Sequence, residues 1–535
     1  MPSVPSETIG ALAVSESSLD SGTDGTGTGN SHSMTDSVRC DLLADCTAEW
    51  LSSMEALRKD LVRSVPAHCA LHCFGAALRG QMGQSASKMS LYGMSKETDI
   101  IDEFWSHSWH SEPWKKVLCL LFLKNGVAAA VAGTVACLVG CALTIDGSLP
   151  NGVPFEGISL WGTALGIFSY LLTLLLWRPW KSVFLDIGCI NQEDASAKTQ
   201  GILSMGGILK QSRTMLVLWD VTWVQRLWCI FEFAAFLKSR GSTMAKTPLI
   251  RPILFGACAL TIFGFTCMVM FVMIFLFSLG FRAALLPSVG AIFFFILYPA
   301  AVTFRDYFWS MDTLAEQLRN FCIANSKCHC CSTGHPDRSV PCDREIVLRC
   351  IRRWFGSEKT FEDTVRALLP SLFAEQLGRF GFPYWLLLVA TCPMLWSLLD
   401  LTVSHWLRGD HFWQFWLGAS GGWWLGAHPF AAGLFFYGAK VLRAPARSRL
   451  RDVLKNLCVI ALNLPVLVLT FGLNEILIIF QMPTYLTAII AGSIHISLAV
   501  TLWFSPFGLR HRSSGTLEQE APAVATDGMD ESAGI

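Results

Sequence analysis

Apolar residues along this chain fall into two patterns: long unbroken runs, and short runs that end in an acidic turn. The long runs occupy residues 126–145, 158–177, 252–280, 283–304, 383–407, 412–439, 453–480 and 483–504. Each approaches the roughly 20 residues an α-helix needs to cross the hydrocarbon core of a bilayer, and the run from 252 is long enough to tilt or protrude. The short runs are Val183-Phe184-Leu185, ending at Asp186, and Thr214-Met215-Leu216-Val217-Leu218-Trp219, ending at Asp220. A Gly-broken amphipathic segment of helical length separates them, which is the pattern of a parallel βαβ unit. The sequence therefore predicts an α-helical multi-pass membrane protein of about eight spans that carries a small α/β domain.

The remaining segments are ordered around these. Residues 1–38 are rich in Ser, Thr, Gly and Asp and have no apolar core, so they are expected to be a disordered tail. Residues 39–84 repeat apolar positions at helical spacing, as at Leu51, Met54, Leu57 and Leu61, which predicts amphipathic helices. A hairpin of two spans fills 126–177 and a second fills 252–304. Between 305 and 382 lies a soluble, Cys-rich helical segment, with Met311, Leu314, Leu318 and Phe321 on one helix face. Four spans occupy 383–504. The acidic, aperiodic residues 505–535 are expected to be disordered.

Composition agrees with a membrane protein: 52% of residues are hydrophobic and 15% charged, with 20 Trp and 36 Phe. Charge adds an orientation. If the eight runs alternate sides, every Lys and Arg except Arg282 and Arg408 falls on the side that holds both termini. The short basic loop 440–455 lies between two spans and carries the signal most directly, so both termini are expected in the cytosol. A net charge of zero, with basic residues placed as a topology signal places them, gives no reason to expect nucleic acid as a partner. The opposite loops are short and carry no Asn-x-Ser/Thr acceptor. Most of the 19 Cys lie in spans or cytosolic segments, where a disulfide framework is not expected.

The helix predicted over 227–237 holds the first candidate for chemistry. Apart from the Cys229 thiol, Glu232 is its only ionisable group, and the positions three and four residues away are Trp228, Cys229, Ala235 and Phe236. No basic partner stands on that face. A carboxylate there is desolvated, so its pKa is expected to rise.

At these residues the chain resembles the TIR family and its relative, the fungal heterokaryon-incompatibility (HET) domain. The run Phe184-Leu185-Asp186 through Cys189, Ile190, Asn191 and Gln192, followed by Asp194, Gln200 and Met205, is similar to the HET signature, and Trp228 with Glu232 is similar to the Trp-x-x-x-Glu motif of TIR domains. Residues 102–109 look like the first TIR strand and its polar exit, with a helix to about 125. The domain then comprises 98–125 and 178–248, split by the first membrane hairpin. No fourth or fifth strand pattern follows Leu237. The resemblance implies self-association through the domain and cleavage of the nicotinamide glycosidic bond of NAD, with Glu232 as the catalytic carboxylate. The ligand would sit where parallel strands end, among Ser106, His107, Ser108, Asp186, Cys189, Asn191, Gln192 and Asp220, with Trp228 beside Glu232. Taken singly, the Asp residues read equally well as turn caps, and Asn191 and Gln192 as loop braces.

Two further features carry chemistry. Cys328, Cys331, His335 and Cys342 are enough soft donors for a tetrahedral zinc site, although the order is not a standard finger spacing and a turn with reduced thiols fits as well. Within the spans stand Asp400, His405, Asn463, Asn474, Glu475 and His495. Asp400, His405 and Glu475 lie toward span ends, where they can reach the interface by snorkelling. Three functions remain open from sequence: a membrane-anchored signalling protein whose domain assembles and cleaves NAD, a channel or transporter with a regulatory domain, and a scaffold without chemistry.

Overall fold

A computed structural model describes residues 31–79, 91–152, 154–155, 157–241, 247–278, 285–332, 341–463 and 482–504, together with isolated positions between 464 and 481. Six strands build one sheet: β1 (Arg63–Pro66), β2 (Lys96–Glu97), β3 (Ile101–His107), β6 (Ser182–Phe184), β7 (Ser212–Trp219) and β8 (Leu249–Pro252), in the order β2-β1-β6-β3-β7-β8. A separate two-stranded hairpin holds β4 (Pro154–Phe155) and β5 (Ile158–Ser159). β3 runs parallel to β6, with Glu103 opposite Val183, and parallel to β7, with Phe104 opposite Met215. β7 pairs in parallel with β8, and β1 closes the other side antiparallel to both β6 and β2.

Two strands correct the sequence reading. β8 is a fourth parallel strand after Leu237; it is four residues long and leads straight into the apolar run from 252, which hides its boundary. β1 lies in the segment read as amphipathic helices, and it is too short for alternation to declare itself. The helix of that segment, α1 (Ser31–Ser52), begins within the stretch read as tail.

The hairpin that splits the domain is α2 (Pro113–Ile145) and α3 (Trp161–Leu176), between β3 and β6. The first turns of α2 lie on the sheet. Alternation along β3 puts Glu103, Trp105 and His107 on one face and Phe104 and Ser106 on the other. Glu103 is buried and ion-paired with Lys124 of α2, accepts from Trp105 Nε1 at 3.1 Å, and also meets Lys181 Nζ at 3.3 Å. Burial alone would raise its pKa, but Lys124, the hydrogen bonds from Lys124 and Trp105, and Lys181 together hold it below the usual carboxylate range. The opposite face is covered by α4 (Met205–Gln211) and α5 (Leu227–Arg240).

Three helices are long and apolar enough to cross a membrane: α2, the first 21 residues of α6 (Phe255–Ser278), and the C-terminal Thr484–Phe504. Tyr384–Ala390 and Cys392–Leu407 pass together but bend by 53°, so the described residues hold three such helices, or four if the bent pair is one span. This replaces the expected eight. α3 has only 16 residues. The run at 412–439 passes through a π-helical turn, Trp423–Ala427. The run at 453–480 starts in the amphipathic helix Arg449–Ala461, and much of it lies outside the described residues. In the run at 283–304, side chains of the first turns also lie outside them. What holds is a mostly helical, partly membrane protein with a small mixed sheet.

Small residues let the hairpin close. A Cβ on Gly133 would stand 2.7 Å from Trp396 and 2.9 Å from the Gly166 carbonyl oxygen, a spacing that only Gly allows. Asp400 does not snorkel. It is buried and accepts from the backbone N–H groups of Gly162 (3.0 Å) and Thr163 (2.6 Å), so it satisfies the open amino end of α3.

Glu103 and Lys124 make a direct prediction. Glu103→Gln leaves the buried ammonium unpaired and is expected to destabilise the protein by about 3–5 kcal/mol, whereas Glu103→Leu with Lys124→Met recovers most of that loss. Unfolding of the full chain in lipid nanodiscs measures both.

Candidate functional site

The parallel strands alone, numbered as the chain meets them, stand in the order 2-1-3-4. The chain leaves β3 toward β6 and then returns past it to β7, so the direction of winding reverses between β3 and β7. In such sheets the crevice beyond the carboxyl ends at the reversal is the usual ligand site. There the chain places Ser106 and His107 from β3, Ser108 just beyond it, Asp186 just beyond β6, Asp220 just beyond β7, and Glu232 from α5.

Ser106 is the hinge of the cluster. Its hydroxyl donates to Glu232 Oε2 at 2.6 Å and accepts from Trp223 Nε1 at 3.0 Å. Thr222 Oγ1 lies 2.7 Å from both Ser108 Oγ and Asp220 Oδ2, while Asp220 Oδ1 is buried with no hydrogen-bond partner. Asp186 accepts from Trp109 Nε1 at 2.9 Å and stands 4.0 Å from His107 Nε2. Lys116, fully buried, donates to the Ser108 carbonyl at 3.0 Å and lies over the Trp109 ring.

Electrostatics separates these groups by role. Glu232 makes no ion pair among the described residues. Burial raises its pKa to about 8; the Ser106 hydrogen bond opposes this, Asp186 adds to it, and Arg226 opposes it. This agrees with the rise expected from the sequence, and the partner is a hydroxyl instead of a base. His107 is pushed down to about 4, chiefly by burial, so it is neutral near pH 7. Burial also raises Asp220 against its bonds from Thr222. The Cys229 thiol is held well above its ordinary value by burial and by Glu232, and it hydrogen-bonds the His107 carbonyl, so it is no nucleophile.

The residues singled out from sequence divide accordingly. Ser106 and His107 are in the cluster but buried, so they support Glu232 and Asp186, which are the partly exposed groups. Trp228 sits at the start of α5 and donates to Asp343 Oδ2 at 3.2 Å. Cys189, Asn191 and Gln192 are not brought together with Glu232. Cys189 is buried against its own strand, donating to the Val183 carbonyl. Asn191 Oδ1 accepts from the Glu193 and Asp194 amides, and Gln192 donates to the Asp186 and Ile190 carbonyls, so both brace their own loop. Cys328, Cys331 and Cys342 converge, and His335 lies outside the described residues. Sequence reasoning missed Lys116, Thr222 and Trp223. The signal for Trp223 was a lone Trp in the turn after Asp220; Lys116 gave none, because a lysine at a helix start ordinarily reads as solvated.

No protein-family model, curated protein or solved structure matches this chain.

Glu232 makes stability depend on pH. The folded chain holds this proton up to about pH 8, whereas an unfolded carboxyl releases it near 4.5, so the folded state binds more protons between those values. Stability from this group is therefore lost as pH rises from about 4.5 to about 8. Glu232→Gln is expected to be the more stable protein at pH 8 and to flatten that part of the profile. Paired denaturation of wild type and variant across pH 5–9 reads the difference.

Proposed function

We propose that this is a membrane-anchored signalling protein whose cytosolic α/β domain is TIR/HET-like, assembles with further copies of itself, and cleaves NAD through Glu232. One observation carries the reading: a carboxyl that makes no ion pair among the described residues is held by a strand serine at the winding reversal of a parallel sheet, where such sheets bind ligands.

The chemistry suits that carboxyl. At rest it is largely protonated near neutral pH, which lowers the cost of burying it. The nicotinamide ring of NAD is a cation, and its arrival favours ionisation of Glu232. The C1′–N bond then breaks with its electron pair moving to nicotinamide, which leaves neutral, so no general acid is needed. Positive charge grows on the ribose, where the carboxylate stabilises it, and water adds to C1′ with loss of a proton. Asp186, the other partly exposed acid, is placed to accept from ligand hydroxyls.

Of the three residues whose convergence would mark a polar path, the Asn463 amide donates to the carbonyl of Val459 one turn back, His495 is buried, and Glu475 lies outside the described residues.

Clustered protein is expected to release nicotinamide from NAD, and Glu232→Gln to lower kcat by about 100-fold or more, the effect of losing one preorganised electrostatic group. In the wild type, kcat/KM should rise with pH and level off above about 8, because it follows ionisation of Glu232 in the free enzyme. Chromatographic assay of nicotinamide measures both; an inactive wild type under clustering, or an active Gln variant, rejects the reading.

We further propose that the domain and both termini lie in the cytosol, on the strength of the basic residues. Single cysteines placed near residues 1, 183 and 535 are expected to react with an impermeant reagent only after the membrane is opened to the cytosolic side. Labelling of position 183 together with the 146–157 loop would refute the arrangement.

A further inference from the structure

Four sulfur atoms meet beside the amino end of α5. Cys328 Sγ lies 2.7 Å from Cys330 Sγ and 3.9 Å from Cys342 Sγ, and Cys342 Sγ lies 3.5 Å from the sulfurs of both Cys330 and Cys331. Cys328, Cys331 and Cys342 all lie within 4.8 Å of one another. Tetrahedral zinc with Zn–S bonds of about 2.3 Å separates its sulfurs by about 3.8 Å; the three distances to Cys342 match this, and Cys328 and Cys330 would part by about 1 Å to take the ion. Apolar burial does not account for the gathering, since Cys331 is exposed and Cys330 and Cys342 are half-buried. None of the four is joined in a disulfide.

The backbone around them is tied to the Glu232 helix from two sides. Lys327, next to Cys328, accepts from the Leu227 N–H at 3.3 Å and donates to the Gln225 carbonyl, pairing in parallel with Arg226. Asp343, next to Cys342, accepts from Trp228 Nε1. One bound ion would thus fasten both grips on the first turn of α5, a single turn before Glu232.

We propose that Cys328, Cys330, Cys331 and Cys342 form a structural thiolate site for zinc, and that the ion clamps the amino end of the helix carrying Glu232. Soft sulfur donors in this number select zinc over the hard divalent cations, and each thiol that ligates gives up its proton as the metal enters. Asp343 also lies within reach of Cys328 and Cys330 and accepts from Trp228 through Oδ2; four thiolates already complete a tetrahedral site, so the carboxylate is left outside it as a brace. Cys330 takes the place that the sequence assigned to His335. The site does not rest on NAD cleavage, because metal content is read without any activity.

The test uses the full chain purified in mild detergent with reductant and zinc. Elemental analysis is expected to find about one zinc per chain, and cobalt in its place should show thiolate-to-metal charge-transfer absorption. The double variant Cys328→Ser, Cys342→Ser should lose the metal, while Cys350→Ser, which removes a buried thiol bonded to the Ala48 carbonyl, should keep it. In case the double variant misfolds, a mercurial that displaces zinc from the wild type is followed by hydrogen exchange, and amides 225–232 are expected to exchange faster once zinc leaves. A zinc-free wild type, whether its thiols are reduced or a Cys328–Cys330 disulfide has formed, overturns the site, as does zinc retained in the double variant. Unchanged exchange at 225–232 on zinc loss overturns the clamp.

Discussion

β3 lies between β6 and β7 and is hydrogen-bonded in parallel to both, and much of the molecule follows from that pairing. Parallel neighbours cannot be joined by a tight turn; they need a long crossover. Here the crossover from β3 to β6 is the apolar hairpin of α2 and α3, which must return to the side it left for Glu103 to stand opposite Val183. The sheet is thereby tied to the hairpin, and the buried Glu103–Lys124 pair fastens the start of α2 to the sheet face. Core packing runs on without a break, from Phe104 and Phe184 in the sheet through Leu120 and Phe122 of α2 to Phe255 and Phe304 of the second apolar hairpin. A disturbance in the hairpin therefore has a packed route to β3.

The candidate site sits at the other end of the same strand. Ser106 receives its position from β3, and through it Glu232 is aligned; Trp223 and Thr222 supply the donors that complete the edge. Groups that look similar in composition take different charge states there. Glu232 is held neutral by burial, His107 is neutral for the same reason, and Lys116 is the buried cation between the acids.

Local periodicity settled a good deal. Val183 to Leu185 and Thr214 to Trp219 announced themselves as strands with acidic ends, and the helix of Glu232 declared its missing basic partner, because side chains three and four positions apart share a face whatever the rest of the chain does. The apolar runs marked membrane-length helices by composition alone, although three of the eight, or four with the bent pair, hold such a helix among the described residues. β8 and β1 stayed hidden, since a four-residue strand exists only by virtue of the strand beside it.

The sequence by itself determined a mostly helical chain with membrane-length apolar helices, an acidic edge on a βαβ unit, and an uncompensated glutamate, all properties of neighbours along the chain. Only the tertiary structure decided that Ser106, 126 residues away from Glu232, would be its partner. In the same way it decided that Asp400 would cap α3, that Cys330 would join Cys328 and Cys342, and that the run at 383–407 would bend by 53°. These are pairings across the fold or breaks within a run. The free energy of burying a polar group depends on what meets it in space, and residue type and spacing along one segment carry no record of that partner.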